Sequence, residues 1–292
     1  MPLLVLHRYC LAATLLAASV AGCATWNQPP AEPVKLPAAR MSPDSVVLEM
    51  AFVRMPVADP EANDAIWAEI DEQHFDPELR HELAANGLRI GILGQHLPTQ
   101  LRAALEAAST SLTERPEDVD TSDTQINRSQ RRLTCRTGRR AKVYVSKTHP
   151  SLALFTQEEG RVRGLLLDKA QCLFSLKPYP QGDSRVRLDL TPEVEHGEMR
   201  AEWVSLEGAM IQRIGRERHV LDRLRTVATL SPGQVLVVST TPDIKGLGEH
   251  FFTETADGRL ERTLLLVRVA QTQWDDLFAP EQISAPLATP VE

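Results

Sequence analysis

Eight histidines, 39 carboxylates and four cysteines are the residues of this 292-residue chain that could do acid–base, metal or nucleophilic chemistry. His74 and His81 are seven apart, a spacing that can share a helical face. Asp76-Pro77 starts a new helix between them, and metal-binding helices use an i, i+4 pair, so two surface histidines is the simpler reading. His196 lies in Glu195-His196-Gly197-Glu198, which reads as a solvated β-turn. Gly87, Gly91 and Gly94 do not form a dinucleotide fingerprint, which needs a strand before its first glycine and a helix after its last. No Gly-x-Ser-x-Gly elbow exists, and no spacing singles out a Ser-His-Asp triad. Asp44, Glu49, Asp71 and Glu72 could pair as catalytic carboxylates, but acids at helix ends and on solvated faces explain them more simply. Trp67, Trp203 and Trp274 read as core anchors. The expectation is a chain with no catalytic, cofactor or metal site.

The N-terminus carries a clearer signal. Arg8 supplies a positive region, Leu11 to Val20 is apolar or small almost throughout, and Val20-Ala21-Gly22-Cys23 closes the run. That order is a secretory signal, too short to span a bilayer, which needs about 20 apolar residues. The closing cysteine resembles the lipobox of bacterial lipoproteins. The resemblance implies that Cys23 is lipidated, with palmitate among its acyl chains, and becomes the new N-terminus. The mature chain is then tethered to a membrane outside the cytoplasm. Each buried methylene contributes only about 0.8 kcal/mol, so stable anchoring takes more than one chain. Ala24 follows Cys23, so no aspartate there argues for inner-membrane retention; the expected location is the cell envelope, on the outer membrane facing the periplasm. Cys10 leaves with the signal, which leaves Cys135 and Cys172. In an oxidising compartment this pair reads as a possible disulfide, with two buried free thiols as the alternative.

The formal net charge is −7 and the isoelectric point about 5.7. A phosphate-backbone partner would select a basic surface, so no nucleic acid is expected. Arg131-Arg132 and Arg139-Arg140 are short clusters, read as solvated strand edges or turns that discourage edge-to-edge pairing.

Five prolines between residues 24 and 43 make an extended tether. Val46 to Val53 is a nearly continuous apolar run and reads as a buried strand. Asp59-Pro60-Glu61 and Asp76-Pro77-Glu78 are two helix starts, each an N-cap, a first-turn proline and an acid. Asn86-Gly87 ends the second helix. Leu88, Ile90 and Ile92 alternate as a strand, and Pro98 opens a third helix. The pattern is β-α-α-β-α, a small mixed domain over 44–110, followed by a polar linker over 111–130. From 131 to 272 the signal is mostly β. Val162 to Leu167 and Cys172 to Leu176 read as a strand pair around Asp168-Lys169. Val186, Leu188 and Leu190 alternate with polar residues, Asp257-Gly258 marks a hairpin, and residues 210–226 are ambiguous between helix and strand. Residues 273–292 read as a disordered tail.

The stretch from Arg185 to Gln271 resembles the C-terminal domain of bacterial secretins. The likeness rests on Val186 to Val194, on Leu224 to Leu230 with Pro232 to Val238, on Pro242 with Gly246-Leu247-Gly248 and Phe251-Phe252, and on Leu264 to Val269. It implies a β-rich domain whose strands 185–191, 235–238 and 264–269 share one sheet. The likeness is degenerate and short. Only about 140 residues lie between the proline-rich tether and the likeness, where secretins carry several ring-building domains. The segment from Glu198 to Asp222 also carries Arg200, Glu202, Glu207, Arg213, Arg216, Glu217 and Arg218, which spoil the lipid-facing alternation of a spanning strand. The implied property is therefore the β fold more than a pore.

These readings converge on an α+β protein. Its expected role is a non-enzymatic, membrane-anchored envelope lipoprotein with a structural or protein-interaction function, within a secretion or pilus-like assembly. Its partners would be the membrane through Cys23 and a protein, or a second copy, through strand edges. The alternative is a periplasmic ligand-binding or hydrolytic lipoprotein. Cys23→Ser is expected to release the protein from membranes or leave it uncleaved; normal processing and wild-type fractionation of the variant would remove the lipoprotein reading.

Overall fold

The computed structural model describes residues 44–111, 130–181, 184–206 and 209–272. Cys23, the proline-rich tether, most of the polar linker and the C-terminal tail lie outside them. Twelve strands and four helices are described, an α+β protein dominated by strand. The helices are α1 (Pro60–Ala68), α2 (Pro77–Ala85), α3 (Thr99–Ser111) and α4 (Gly246–Phe252).

One sheet, called A, has the order β2-β10-β12-β1-β3, with β11 on the free length of β12. Its strands are β1 (Ser45–Pro56), β2 (Leu88–Leu93), β3 (Gln130–Arg136), β10 (Val235–Thr240), β11 (Thr253–Ala256) and β12 (Arg259–Thr272). The other, sheet B, has the order β4-β6-β7-β8, with β5 on β6 and β9 on β7. It contains β4 (Ala141–Tyr144), β5 (His149–Glu158), β6 (Arg161–Pro180), β7 (Val186–Leu206), β8 (Ala209–Val220) and β9 (Thr226–Leu230). Every described pairing is antiparallel.

Strand alternation divides sheet A between two cores. Val46, Leu48, Met50, Leu236, Val238, Leu265 and Val267 face sheet B, where they meet Val143, Leu176, Leu188, Leu190 and Val194. Val53, Val237, Leu264 and Leu266 face the other way, against Ile66 and Trp67 of α1 and Leu101 of α3. The layers are helices, sheet A and sheet B. Leu83 of α2 and Leu247, Phe251 and Phe252 of α4 join the inter-sheet core.

The helix starts form as the sequence indicates. Asp59 accepts from the Ala62 N–H at 3.0 Å and Asp76 from the Glu78 N–H at 2.8 Å. Past Asn86, Gly87 takes a left-handed φ of +78°. The helix ends against α4 with no room between: Gly248 donates its N–H to the Asn86 carbonyl at 3.1 Å, and a Cβ on Gly248 would lie 1.8 Å from the Gly87 oxygen.

Four expectations are corrected. The β-α-α-β-α order is present, but residues 44–110 do not build a sheet of their own, and residues 111–130 do not separate two sheets. β1 and β2 stand apart in sheet A with β10 and β12 between them, because strands apolar on both faces need central neighbours that the N-terminal segment lacks. The strands proposed to share a secretin-like sheet are divided: Val186–Leu190 pairs within sheet B, while 235–240 and 259–272 lie in sheet A. The turn Ser231-Pro232-Gly233, with Gly233 at φ +86°, carries the chain from one sheet to the other. Asp168-Lys169 is not a hairpin; β6 runs through it from Arg161 to Pro180, with Lys169 at φ +49°. Finally, Cys135 and Cys172 are free buried thiols rather than a disulfide. They sit on β3 and β6 and pack as small apolar groups, and burial pushes them up to about 11 and about 12.

Gly248→Ala tests the close approach. Helix propensity alone would favour alanine by about 1 kcal/mol, whereas the Gly87 carbonyl leaves no space for the methyl group. The variant is expected to lose roughly 1–3 kcal/mol, as overpacking does. A denaturant midpoint equal to or above wild type would show the contact to be relaxed.

Candidate functional site

The most distinctive exposed feature is the β5–β6 arm. Its register runs from His149↔Ala170 to Glu158↔Arg161. One face carries Leu152, Leu154 and Leu167 into the inter-sheet core. On the other, opposed residues are Gln157 and Val162, Phe155 and Gly164, and Ala153 and Leu166. Phe155, Val162 and Leu166 are 54%, 68% and 73% exposed. The Phe155 ring lies over Gly164, where a Cβ would come within 3.1 Å of its Cε1. The result is a solvent-facing apolar row on an arm held rigid from behind.

The two edges of this arm are treated differently. On β5, the Asn86 side chain accepts from the Gln157 N–H at 2.8 Å and donates to the Gln157 carbonyl at 3.0 Å, imitating a neighbouring strand. The His250 ring meets the Ala153 carbonyl at 3.2 Å. On β6, residues 161–170 pair with β5 alone among the described strands, because β7 pairs only from Gln171 onward. An unpaired backbone edge beside exposed apolar side chains is a template for another strand.

A second feature is a cleft of about 390 Å³ at one end of the sandwich, lined by Lys147, His149, Glu249, His250 and Glu254 with Phe52 and Phe251. Lys147 pairs with Glu254, and Arg54 reaches the same carboxylate at 3.9 Å. The imidazoles of His149 and His250 stand edge to face, centroids 6.3 Å apart. Burial holds the His149 pKa below its ordinary value, helped by His250 and opposed by Glu254. No group of three His, Cys, Asp or Glu residues suited to a metal ion occurs among the described residues.

The outer face of sheet B is a charge lattice. Glu193 and Glu195 are buried, yet both sit on the face opposite the core. Arg140 pairs with Glu193, which Arg218 approaches at 3.7 Å; Lys142 pairs with Glu195 at 2.5 Å and the Tyr144 hydroxyl donates to it at 3.0 Å. Burial, with the Glu195 charge, pushes Tyr144 up to about 12.

Of the residues singled out by sequence, Cys23 lies outside the described residues and Cys135 and Cys172 are buried. His196 lies in the paired length of β7, just before Gly197, 4.0 Å from Glu217. The Asp71 carboxylate accepts from the Gln73 N–H at 2.8 Å, Glu72 holds Arg89, and Glu49 holds Arg132 and Arg268, so these acids serve structure. Trp67 is a core anchor, with the Arg89 guanidinium 4.2 Å above its ring. Trp274 and the Trp203 side chain lie outside the described residues. The sequence marks Val162 to Leu167 as a strand without showing which of its side chains meet solvent, so it does not single out Phe155, Val162 or Leu166. It also did not join His149 to His250, 101 residues apart. No helix of the described residues is long and apolar enough to cross a membrane. No family model matches the chain, and neither a curated protein nor a solved structure matches it.

His149 gives a pH test. Its native pKa is depressed below the unfolded value of about 6.5, so the unfolded chain binds a proton that the native chain resists. The contribution is present above pH 6.5 and is lost as pH falls through the native pKa. Wild type is expected to lose more stability between neutral and mildly acidic pH than His149→Gln. Parallel pH profiles of denaturant midpoint would show that His149 is not the group responsible.

Proposed function

We propose that this protein is a non-enzymatic envelope lipoprotein that docks an extended segment of a protein partner along the open edge of β6. The observation that carries the reading is the exposed row of Phe155, Val162 and Leu166 beside an edge of β6 that pairs with no other described strand. Monomeric proteins protect long edges, and here the β5 edge of the same arm is protected by Asn86 and His250. The partner strand would gain backbone hydrogen bonds from residues 161–170, and its apolar side chains would extend the row. The envelope location and lipid anchor at Cys23, on the outer membrane facing the periplasm, rest on the signal and lipobox of residues 1–23. A place in a secretion or pilus-like assembly rests on the secretin resemblance alone. The strands that carry that resemblance lie in two sheets, so the fold lends the assembly role no support.

A second reading, a ligand-binding or hydrolytic lipoprotein, is favoured by the cleft with His149, His250 and Glu254. Its volume of about 390 Å³ falls within the range of small-molecule sites.

Photo-crosslinking from position 166 in intact envelopes separates the two. A discrete protein adduct is expected from position 166 and not from position 227, where Val227 is 45% exposed on β9. Leu166→Glu combined with crosslinking from position 162 should abolish the adduct. Equal labelling from 166 and 227 would show that the edge docks nothing specific.

A further inference from the structure

A groove of about 830 Å³ runs along the outer face of sheet B, between β4 and the β7–β8 hairpin. Lys142 of β4, Arg200 of β7, and Arg216 and Arg218 of β8 line it, and among the described residues Glu195 and Glu217 are the lining carboxylates. The surplus persists when the surrounding lattice is included. Arg140 and Arg218 share Glu193, Lys142 takes Glu195, and Arg200 meets Glu217 at 3.1 Å. Arg216 commits its Nε to the Gly197 carbonyl at 3.0 Å rather than to an acid. Among the described residues five cations thus stand against three carboxylates, and the neighbouring Lys169–Glu198 pair adds one charge of each sign. This local excess is set in a chain of net charge −7, so it is not a consequence of composition.

We propose that this groove binds a ligand carrying phosphate. Guanidinium groups present paired donors that match phosphate oxygens, and three of the four lining cations are arginines. Like-signed groups gathered in one concavity focus the field on an anion. The volume exceeds that of a single phosphate, and Ile214, 69% exposed, offers an apolar wall for the body to which the phosphate is attached. The site is separate from the β6 edge and does not depend on docking there. Phosphate of this kind is carried by free phosphorylated solutes and by lipid headgroups at a membrane surface.

The test uses the full-length chain with two probes. Inorganic pyrophosphate is titrated by calorimetry, and vesicles of phosphatidylglycerol are compared with vesicles of phosphatidylcholine by co-sedimentation. The difference between vesicle types is the readout, since an acyl anchor would bind both. Arg200→Gln alters an exposed side chain (72%) and leaves the buried carboxylates held, so it should fold with wild-type thermal stability. Arg216→Gln is the second variant. Each is expected to weaken pyrophosphate binding, or the preference for phosphatidylglycerol, about fivefold. Pyrophosphate binding without vesicle preference assigns the groove to a soluble phosphate ligand. Preference for phosphatidylglycerol without pyrophosphate binding assigns it to a headgroup. Absence of both, or binding unchanged in Arg200→Gln and Arg216→Gln, overturns the proposal.

Discussion

The pairing of β1 with β12 is the interaction on which the rest of the structure depends. It joins the first and last described strands through eleven register pairs, from Val46↔Thr272 to Pro56↔Glu261, interrupted once between Val47 and Leu48. Both strands are buried on both faces over their central residues, so each contributes to both cores. Sheet B rests on Leu48, Met50, Leu265 and Val267; α1 and α3 rest on Val53, Leu264 and Leu266. Separating the pair would uncover both layers together. The loop-closure cost of bringing distant segments together grows only slowly with loop length, but such non-local pairing makes folding slow. The N-terminal helices therefore lack a finished surface until the last strand has arrived.

Among the described residues no helix or strand covers the outer face of sheet B, and that face is satisfied by charge. Along β7, Leu188, Leu190 and Val194 point inward while Asp189, Glu193 and Glu195 point outward, and all three carboxylates are nearly buried. They are covered by the stems of the arginines and lysines that neutralise them. An unpaired charge in that position would be strongly destabilising. Each has a partner: Asp189 holds Arg225 at 2.5 Å and approaches Arg187 at 3.7 Å, while Glu193 and Glu195 hold Arg140 and Lys142. Arg187 also lies 4.4 Å from the Tyr179 ring, so a residue that alternation marks as merely solvent-facing is held by stacking as well as by charge.

Local rules made much of this legible in the sequence. Asp59-Pro60 and Asp76-Pro77 begin helices, Asn86-Gly87 ends one, Asp257-Gly258 turns a hairpin, and the inward alternation of Val186, Leu188 and Leu190 is observed. Each is decided by neighbours within a few residues. Partnership is not. Nothing in Val235–Val238 states that its neighbours are β2 and β12 rather than β7, because an apolar strand suits the centre of either sheet. The same ambiguity hid the candidate site. Leu165-Leu166-Leu167 is apolar throughout, yet Leu167 is 8% exposed and Leu166 73%, and only the position of β6 relative to the core separates them. The pairing of the two thiols failed for a similar reason: an even count of cysteines says nothing about which sheets their strands enter.

The two surfaces proposed for function have one structural origin. β6 and β7 pair from Pro180↔Val186 to Gln171↔Glu195 and then part. At the parting, Lys169 and Gly197 both take positive φ, at +49° and +73°, and Lys169 holds Glu198 across the gap. Beyond it β6 continues with β5 alone among the described strands, and none of them pairs with its other edge. β7 shifts register between His196 and Arg200 and continues with β8 alone. That bulge is where Arg216 turns to the Gly197 carbonyl and the groove begins. A straight continuation of β6–β7 pairing would have closed the edge and removed the bulge together. The break therefore converts one sheet into two surfaces of different chemistry. The edge works through backbone hydrogen bonds and apolar contact, which salt screens little. The groove works through exposed charge, which salt screens strongly.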